Sequence, residues 1–279
     1  MQNIKKYFTF LAFFALALCC AKAAFASISL YPYSLEFDAD SRRRVQNVRV
    51  INNSQEVKTY RVSFVNYVQT PEGSYREHNP EADAAVATAQ EYLYFSPRQF
   101  TLKPGAVQTL NIMRRPAADM KDGEYVSHLK ISEVDVPLTR EEAAQKSAAA
   151  RGEGEQTLSI QLKALYAVTI PVSVYKGKLE SAAQITKAQV ITRQDGKTVL
   201  QLAIAASGSK SARGDISVSG SKSKAVGQLN NVRVYPYNNE RSASVPLTQT
   251  EEELKGQTLT ITFKDKQTGK NVAERKLSL

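Results

Sequence analysis

Short runs of alternating apolar and polar residues recur along this chain, each closed by a turn cluster. A period of two places successive side chains on opposite faces, so these runs are strands half-buried against a core. "SISLYPYSLEF", "RVQNVRVINNS", "TYRVSFVNYVQT", "EYLYFSP", "VQTLNIMRR" and "EYVSHLKISEVDV" follow one another between residues 27 and 136. Asn52-Asn53-Ser54, Pro71-Glu72-Gly73 and Lys103-Pro104-Gly105 separate them. Many short strands joined by tight turns predict an antiparallel sandwich of immunoglobulin type. Pro32 interrupts the first run and suits an edge strand that bends from one sheet to the other. Pro104-Gly105 predicts a tight turn with Gly105 at positive φ, and Leu102 and Leu110 are expected in the core. Loop 77–91 is polar and alanine-rich, with room for a helical turn whose place the sequence does not fix.

A second β-rich block follows Lys176-Gly177-Lys178, which reads as a hinge. In "AQVITRQDGKTVLQLAIAAS" the pair Asp195-Gly196 predicts a two-residue hairpin turn. "GDISVSG", "GQLNNVRVYPY", "RSASVPL", "QTLTITF" and "NVAERKLSL" supply more strands. The expected fold class is all-β, with two immunoglobulin-like β-sandwich domains over residues 27–176 and 177–279.

Residues 1–26 are expected to be a signal peptide. Lys5 and Lys6 precede an apolar run, and Ala24-Phe25-Ala26 is a small-x-small cleavage pattern before Ser27. The run is shorter than the roughly 20 residues of a spanning helix, so no stable membrane insertion is expected after cleavage. Cys19 and Cys20 sit where a lipoprotein signal carries its acceptor, but Leu18 and Cys19 are poor small residues before it. These are the chain's only 2 cysteines. A mature chain from Ser27 therefore has no disulfide and no thiol ligand, and its stability must come from packing. Without Lys5, Lys6 and Lys22 it keeps 34 of the 37 basic residues against 27 acidic ones. The net charge of +7 is spread along the chain, without the basic helix or Arg-and-aromatic signature of a nucleic-acid reader.

The residue types for catalysis are sparse. There are 2 histidines, His78 in a loop and His128 in a strand. No zinc-binding helix motif, phosphate-binding loop, dinucleotide fingerprint or nucleophile elbow is present. Glu141-Glu142 and Glu251-Glu252-Glu253 read as solvated faces. Arg213-Gly214-Asp215 spells an adhesive tripeptide, and its Gly-Asp is expected to turn the chain into "ISVSG". No enzyme, catalytic residue, metal or cofactor is expected.

One stretch stands apart. "TLSIQLKALYAVTIPVSVY", residues 157–175, places Leu158, Ile160 and Leu162 on one face and Ser159, Gln161 and Lys163 on the other. It follows the loose polar segment "PLTREEAAQKSAAARGEGEQ", residues 137–156, which is expected to be poorly ordered. So apolar a strand normally fills a finished sheet, either in this protein's own core or in another's.

"YFSPRQFTLKPGAVQTLNI", Tyr94 to Ile112, resembles the signature of the periplasmic pilus chaperones of chaperone–usher systems. In that family an apolar-x-Pro strand precedes a Leu-x-Pro-Gly turn and a Gln-x-Leu strand. The resemblance extends to "ISLYPYSLEF", "VINNSQEVKTYRV", "DGEYVSHLKISEV" and "TIPVSVY", covering most of residues 27–176. It implies a divergent branch of the PapD-like superfamily. It also implies that the last strand of the first domain is lent to a fimbrial or pilus subunit lacking its own final strand, by donor-strand complementation. Leu158, Ile160 and Leu162 would be the donated side chains, worth about 5–9 kcal/mol gross at about 1.5–3 kcal/mol each. The family's carboxylate-anchoring Arg and Lys fall near Ser34 and Ala167 here, which leaves Lys163 and the triplet around Arg43 as substitute anchors. The implied partners are fimbrial or pilus subunits and an outer-membrane usher, met in the periplasm without cofactor and without nucleic acid. The alternative is a secreted adhesive β-sandwich module or a fimbrial subunit. A subunit should carry a free apolar amino-terminal extension, whereas Ser27 leads almost directly into strand sequence.

Overall fold

The computed structural model describes residues 27–116, 119–135, 164–266 and 268–279. The first part of the chain forms β1 (Ile28–Tyr31), β2 (Leu35–Asp38), β3 (Val45–Asn52), β4 (Lys58–Val65), β5 (Tyr67–Gln69), β6 (Tyr75–Glu77), β7 (Leu93–Ser96), β8 (Gln99–Leu102), β9 (Val107–Arg114), β10 (Gly123–Val134) and β11 (Ala167–Lys176). A four-stranded sheet in the order β1-β3-β9-β7 faces a five-stranded sheet in the order β2-β11-β10-β4-β8. Every pairing is antiparallel except that of β11 with β2.

Alternation places the core. In β9, Leu110 and Ile112 are fully buried, and Leu110 lies opposite the equally buried Val48 of β3. Phe37, Tyr60, Leu129, Ile131, Val172 and Val174 meet them from the second sheet. Leu102 also enters this core, and Gly105 takes φ +72° in the turn after it. Pro32 does what the sequence implied: the chain leaves the first sheet after Tyr31 and joins the second at Leu35. Loop 77–91 resolves into turns and one turn of 3-10 helix, Gln90–Tyr92.

The second sandwich contains β12 (Ser181–Thr192), β13 (Thr198–Gly208), β14 (Ala212–Gly220), β15 (Gly227–Val234), β16 (Glu240–Pro246), β17 (Thr258–Asp265) and β18 (Asn271–Ser278). Its sheets run β12-β13-β16 and β15-β14-β17-β18, around a separate core that includes Leu200, Ile204, Ile216, Ile261 and Phe263. The glutamate triplet lies in a short helix α1 (Glu251–Leu254), where Thr250 and Glu253 form a capping box.

Two local expectations are corrected. The hairpin at Asp195-Gly196 closes through three residues: Gly196 N–H donates to Arg193 O at 2.9 Å and Arg193 N–H to Lys197 O at 3.0 Å. Gly196 has φ +77°, so the Asp-Gly pair belongs to a bulged three-residue loop. Arg213-Gly214-Asp215 is not a turn but lies inside β14, at an irregularity in its pairing with β15. Gly214 is needed there because β17 comes too close for a side chain. A Cβ would stand 1.9 Å from Lys264 O and 2.9 Å from the Phe263 ring.

These glycines separate two physical roles. Gly196→Ala meets open space and only the positive-φ strain, so it should cost about 1–2 kcal/mol. Gly214→Ala must push two strands apart and should cost more, about 3 kcal/mol. Urea unfolding of the two variants checks this order, and equal losses would contradict the close approach at Gly214.

Candidate functional site

The site expected from the sequence centres on β11. Its ladder with β10 runs from Ser132↔Ala167 to Gly123↔Lys176 and continues one step further, where Glu133 N–H donates to Tyr166 O at 2.8 Å. That bond sets the parity. Even-numbered residues of β11 exchange hydrogen bonds with β10, and odd-numbered ones direct N–H and C=O to the other edge. Consistent with this, Tyr175 O accepts from Ala39 N–H at 2.7 Å.

On that other edge, β2 covers only Val172–Tyr175. Upstream of Leu35 the chain turns away through Pro32 to the opposite sheet. Among the described residues no strand pairs with Ala167–Ile170 on this side. The N–H and C=O of Ala167 and Thr169 therefore face an open edge, whereas the register of Val172 with Leu35 makes Pro171 C=O the first acceptor of β2, from Leu35 N–H. Pro171 fits because its missing N–H would have pointed away from β10.

The side chains alternate with the same regularity. Ile170, Val172 and Val174 enter the core, while Ala167 and Thr169 are exposed. Leu165 and Tyr166, just before β11, are 51% and 57% exposed, large apolar groups left in solvent beside the open edge. Leu158, Ile160, Leu162 and Lys163 lie outside the described residues, as does the expected loop 137–156. Arg43 sits in the exposed turn between β2 and β3, where its N–H donates to Ser41 Oγ at 3.1 Å.

The other half of β11 is built into the contact between the sandwiches. Arg233 of β15 is buried and ion-paired with Glu124 of β10. It also donates to Ser173 Oγ of β11 and to Ser211 Oγ, each at 2.9 Å. Ser211 returns its hydroxyl to Glu124 at 2.8 Å. Beside this, Arg213 pairs with Glu36 and donates to Ser34 Oγ at 3.0 Å. A cation thus reaches Ser34 after all, from 179 residues away, a placement no local motif could announce. Asn238 Nδ2 donates to Gln69 O at 2.8 Å, and Ser242 N–H to Pro71 O at 2.6 Å.

His128, opposite Pro171, is buried within this joint between Tyr67 and Tyr75, whose ring centroids lie 5.2 and 5.7 Å away. Among the described residues its Nδ1 has no hydrogen-bond partner. Burial, and then the charge of Arg233, push its pKa down from 6.5 to about 4. Among the described residues there is no group of His, Cys, Asp and Glu placed to hold a metal, and no helix long and apolar enough to cross a membrane.

No family model matches the chain, and no curated protein matches it by sequence. Solved structures of fimbrial chaperones do match it. A chaperone–tip adhesin complex of CFA/I fimbriae biogenesis aligns at 12% identity and TM-score 0.44, over 90% of this chain and 98% of that one. The CsuC–CsuE chaperone–tip adhesion subunit complex of archaic Csu pili from Acinetobacter baumannii aligns at 14% identity and TM-score 0.45, over 91% and 99%. The CupB2 chaperone of Pseudomonas aeruginosa aligns at 13% identity and TM-score 0.43, over 90% and 100%.

Two outcomes follow from the joint. Because His128 is neutral when folded, the stability it holds above pH 6.5 should be lost as pH falls from 6.5 towards 4, by up to about 3 kcal/mol. Denaturant unfolding across that range should show a shallower pH slope for His128→Gln than for wild type. For the ion pair, Glu124→Gln or Arg233→Met alone should each destabilise by about 3–5 kcal/mol, because each strands a buried partner. A double-mutant cycle should give less than the sum of the two losses, and strict additivity would contradict direct coupling.

Proposed function

We propose that this chain is a periplasmic chaperone that holds fimbrial or pilus subunits by lending them a strand and passes them to an outer-membrane usher. The observation that carries the reading is the half-open β11: one edge bound to β10, the other unpaired among the described residues from Ala167 to Ile170. Continuing its pleat upstream gives Leu158, Ile160 and Leu162 the same parity as Ile170, Val172 and Val174. They would extend the core-facing side of the strand beyond the end of the sandwich. A subunit strand could pair along the open edge while those side chains fill its cleft.

The division of labour proposed here is a cleaved leader, 1–26, a subunit-binding domain, 27–176, and a smaller supporting domain, 177–279. Lys163 and Arg43 remain the candidate anchors for a subunit carboxylate. Arg213 is less available, because Glu36 already engages its charge. Nothing in this scheme requires nucleotide, metal or covalent chemistry.

The test replaces Leu158, Ile160 or Leu162 with Asp and measures thermal unfolding of the free protein alongside recovery of a co-expressed fimbrial subunit. The expected result is a change in free stability of only about half a kcal/mol, as for a surface position, with loss of subunit recovery. A charge in a dry cleft costs several kcal/mol. Ser159→Asp, on the opposite face, should be milder in capture. Strong destabilisation of the free protein by all three changes would place these side chains in its own core and sink the proposal.

A further inference from the structure

The far edge of the same five-stranded sheet is also left incomplete. There β8 covers β4 only from Lys58 to Arg61, and Val62 N–H donates to Arg98 O at 2.9 Å as the last bond of that side. Upstream of β8 the chain crosses at Pro97 into β7 of the other sheet. The next outward-facing position on β4 is Phe64, and its N–H and C=O have no strand partner on this side among the described residues.

A groove of about 580 Å³ opens along this uncovered edge, within the roughly 300–1,000 Å³ usual for binding sites. Phe64, Phe95 and Tyr94 give it an apolar side, with the Phe64 and Phe95 rings edge to face at 5.2 Å. Arg61, Arg98 and Arg115 line it as well, all exposed, and among the described residues no acidic one does. Among the described residues none of these three guanidinium groups has an ion-pair or hydrogen-bond partner. Three cations without an ion-pair partner among the described residues, set around a short open strand edge, define a particular kind of ligand. It must be extended, to use the main-chain groups, and it must carry carboxylates.

We propose that this groove docks an extended acidic segment of a partner protein, added as a short strand beside β4 with its carboxylates on Arg61, Arg98 and Arg115. Main-chain pairing fixes the segment's direction, and the arginines select its charge. The surface lies at the edge opposite β11, so the inference does not depend on strand donation. Both edges can be occupied at once.

The test uses the full mature chain and a fluorescein-labelled peptide alternating Glu with Thr, followed by anisotropy at low and moderate salt. Two comparators are the same peptide with Gln for Glu, and the Glu peptide N-methylated at alternate residues. The Glu peptide should bind about tenfold or more tightly than either comparator. The triple variants Arg61→Gln/Arg98→Gln/Arg115→Gln and Arg61→Glu/Arg98→Glu/Arg115→Glu should weaken it by about tenfold or more, with unfolding temperature retained because these side chains are exposed. Equal binding of the Gln peptide removes the charge selection. Equal binding of the N-methylated peptide removes the strand pairing. Unchanged binding by the triple variants removes the groove, and a short heparin fragment that outcompetes the Glu peptide makes the site a polyanion patch. Each of these results overturns the proposal.

Discussion

The two ends of β11 live under opposite constraints. From Val172 to Tyr175 the strand is held from every side: β10 on one edge, β2 on the other, the first core beneath, and Arg233 of the second sandwich bound to Ser173. Its end is fixed again where Lys176 pairs with Asp40, and where Gly177 takes φ +76° against the Asp122 carboxylate. From Ala167 to Ile170 only β10 and the core remain among the described residues. A strand can be offered at one end only if it is immobilised at the other, because pairing with a partner must not be charged again with the entropy of ordering the whole strand.

The buried Arg233–Glu124 pair is the costlier part of this arrangement. Two desolvated charges seldom stabilise more than a well-packed apolar pair would, but they tolerate only one geometry. Glu124 lies on β10 and Ser173 on β11, while Arg233 and Ser211 come from the second sandwich. A shift between the sandwiches would therefore strand a guanidinium, a carboxylate and two hydroxyls together. The second sandwich acts on the site through this contact, as a fixed backing for the strand's closed half.

Much of this was legible in the sequence where the cause is local. Period-two alternation gave the strands, Pro32 the change of sheet, and Lys103-Pro104-Gly105 the turn with Gly105 at positive φ. Where two distant segments cooperate, the sequence is silent. Nothing near Ser34 announces Arg213, and nothing near Glu124 announces Arg233, 109 residues away. The same limit explains Arg213-Gly214-Asp215. Gly-Asp is good turn chemistry, but Gly214 is required by the backbone of β17, whose closeness only the assembled sheet reveals. At Asp195-Gly196 the turn was local and visible, but its length was set by how the flanking strands pair.

Pro32 and Pro97 show one device used twice. In each case the outermost strand of the five-stranded sheet covers half of its neighbour, and the chain then crosses at proline to the opposite sheet. Proline suits the crossing because it has no N–H to leave unpaired where a ladder ends. What each crossing uncovers differs. At β11 the exposed neighbours are apolar, Leu165 and Tyr166, and the only charge close in sequence is Lys163. At β4 three arginines surround the gap. Open edges invite indiscriminate pairing, and charge is a common way to discourage it. An edge guarded by cations repels cationic or self-like strands and still admits an acidic one, whereas an apolar edge admits any greasy strand of the right length. If both gaps take strands as proposed, they are unequal in selectivity: the first would select by shape and apolar fill, the second by charge.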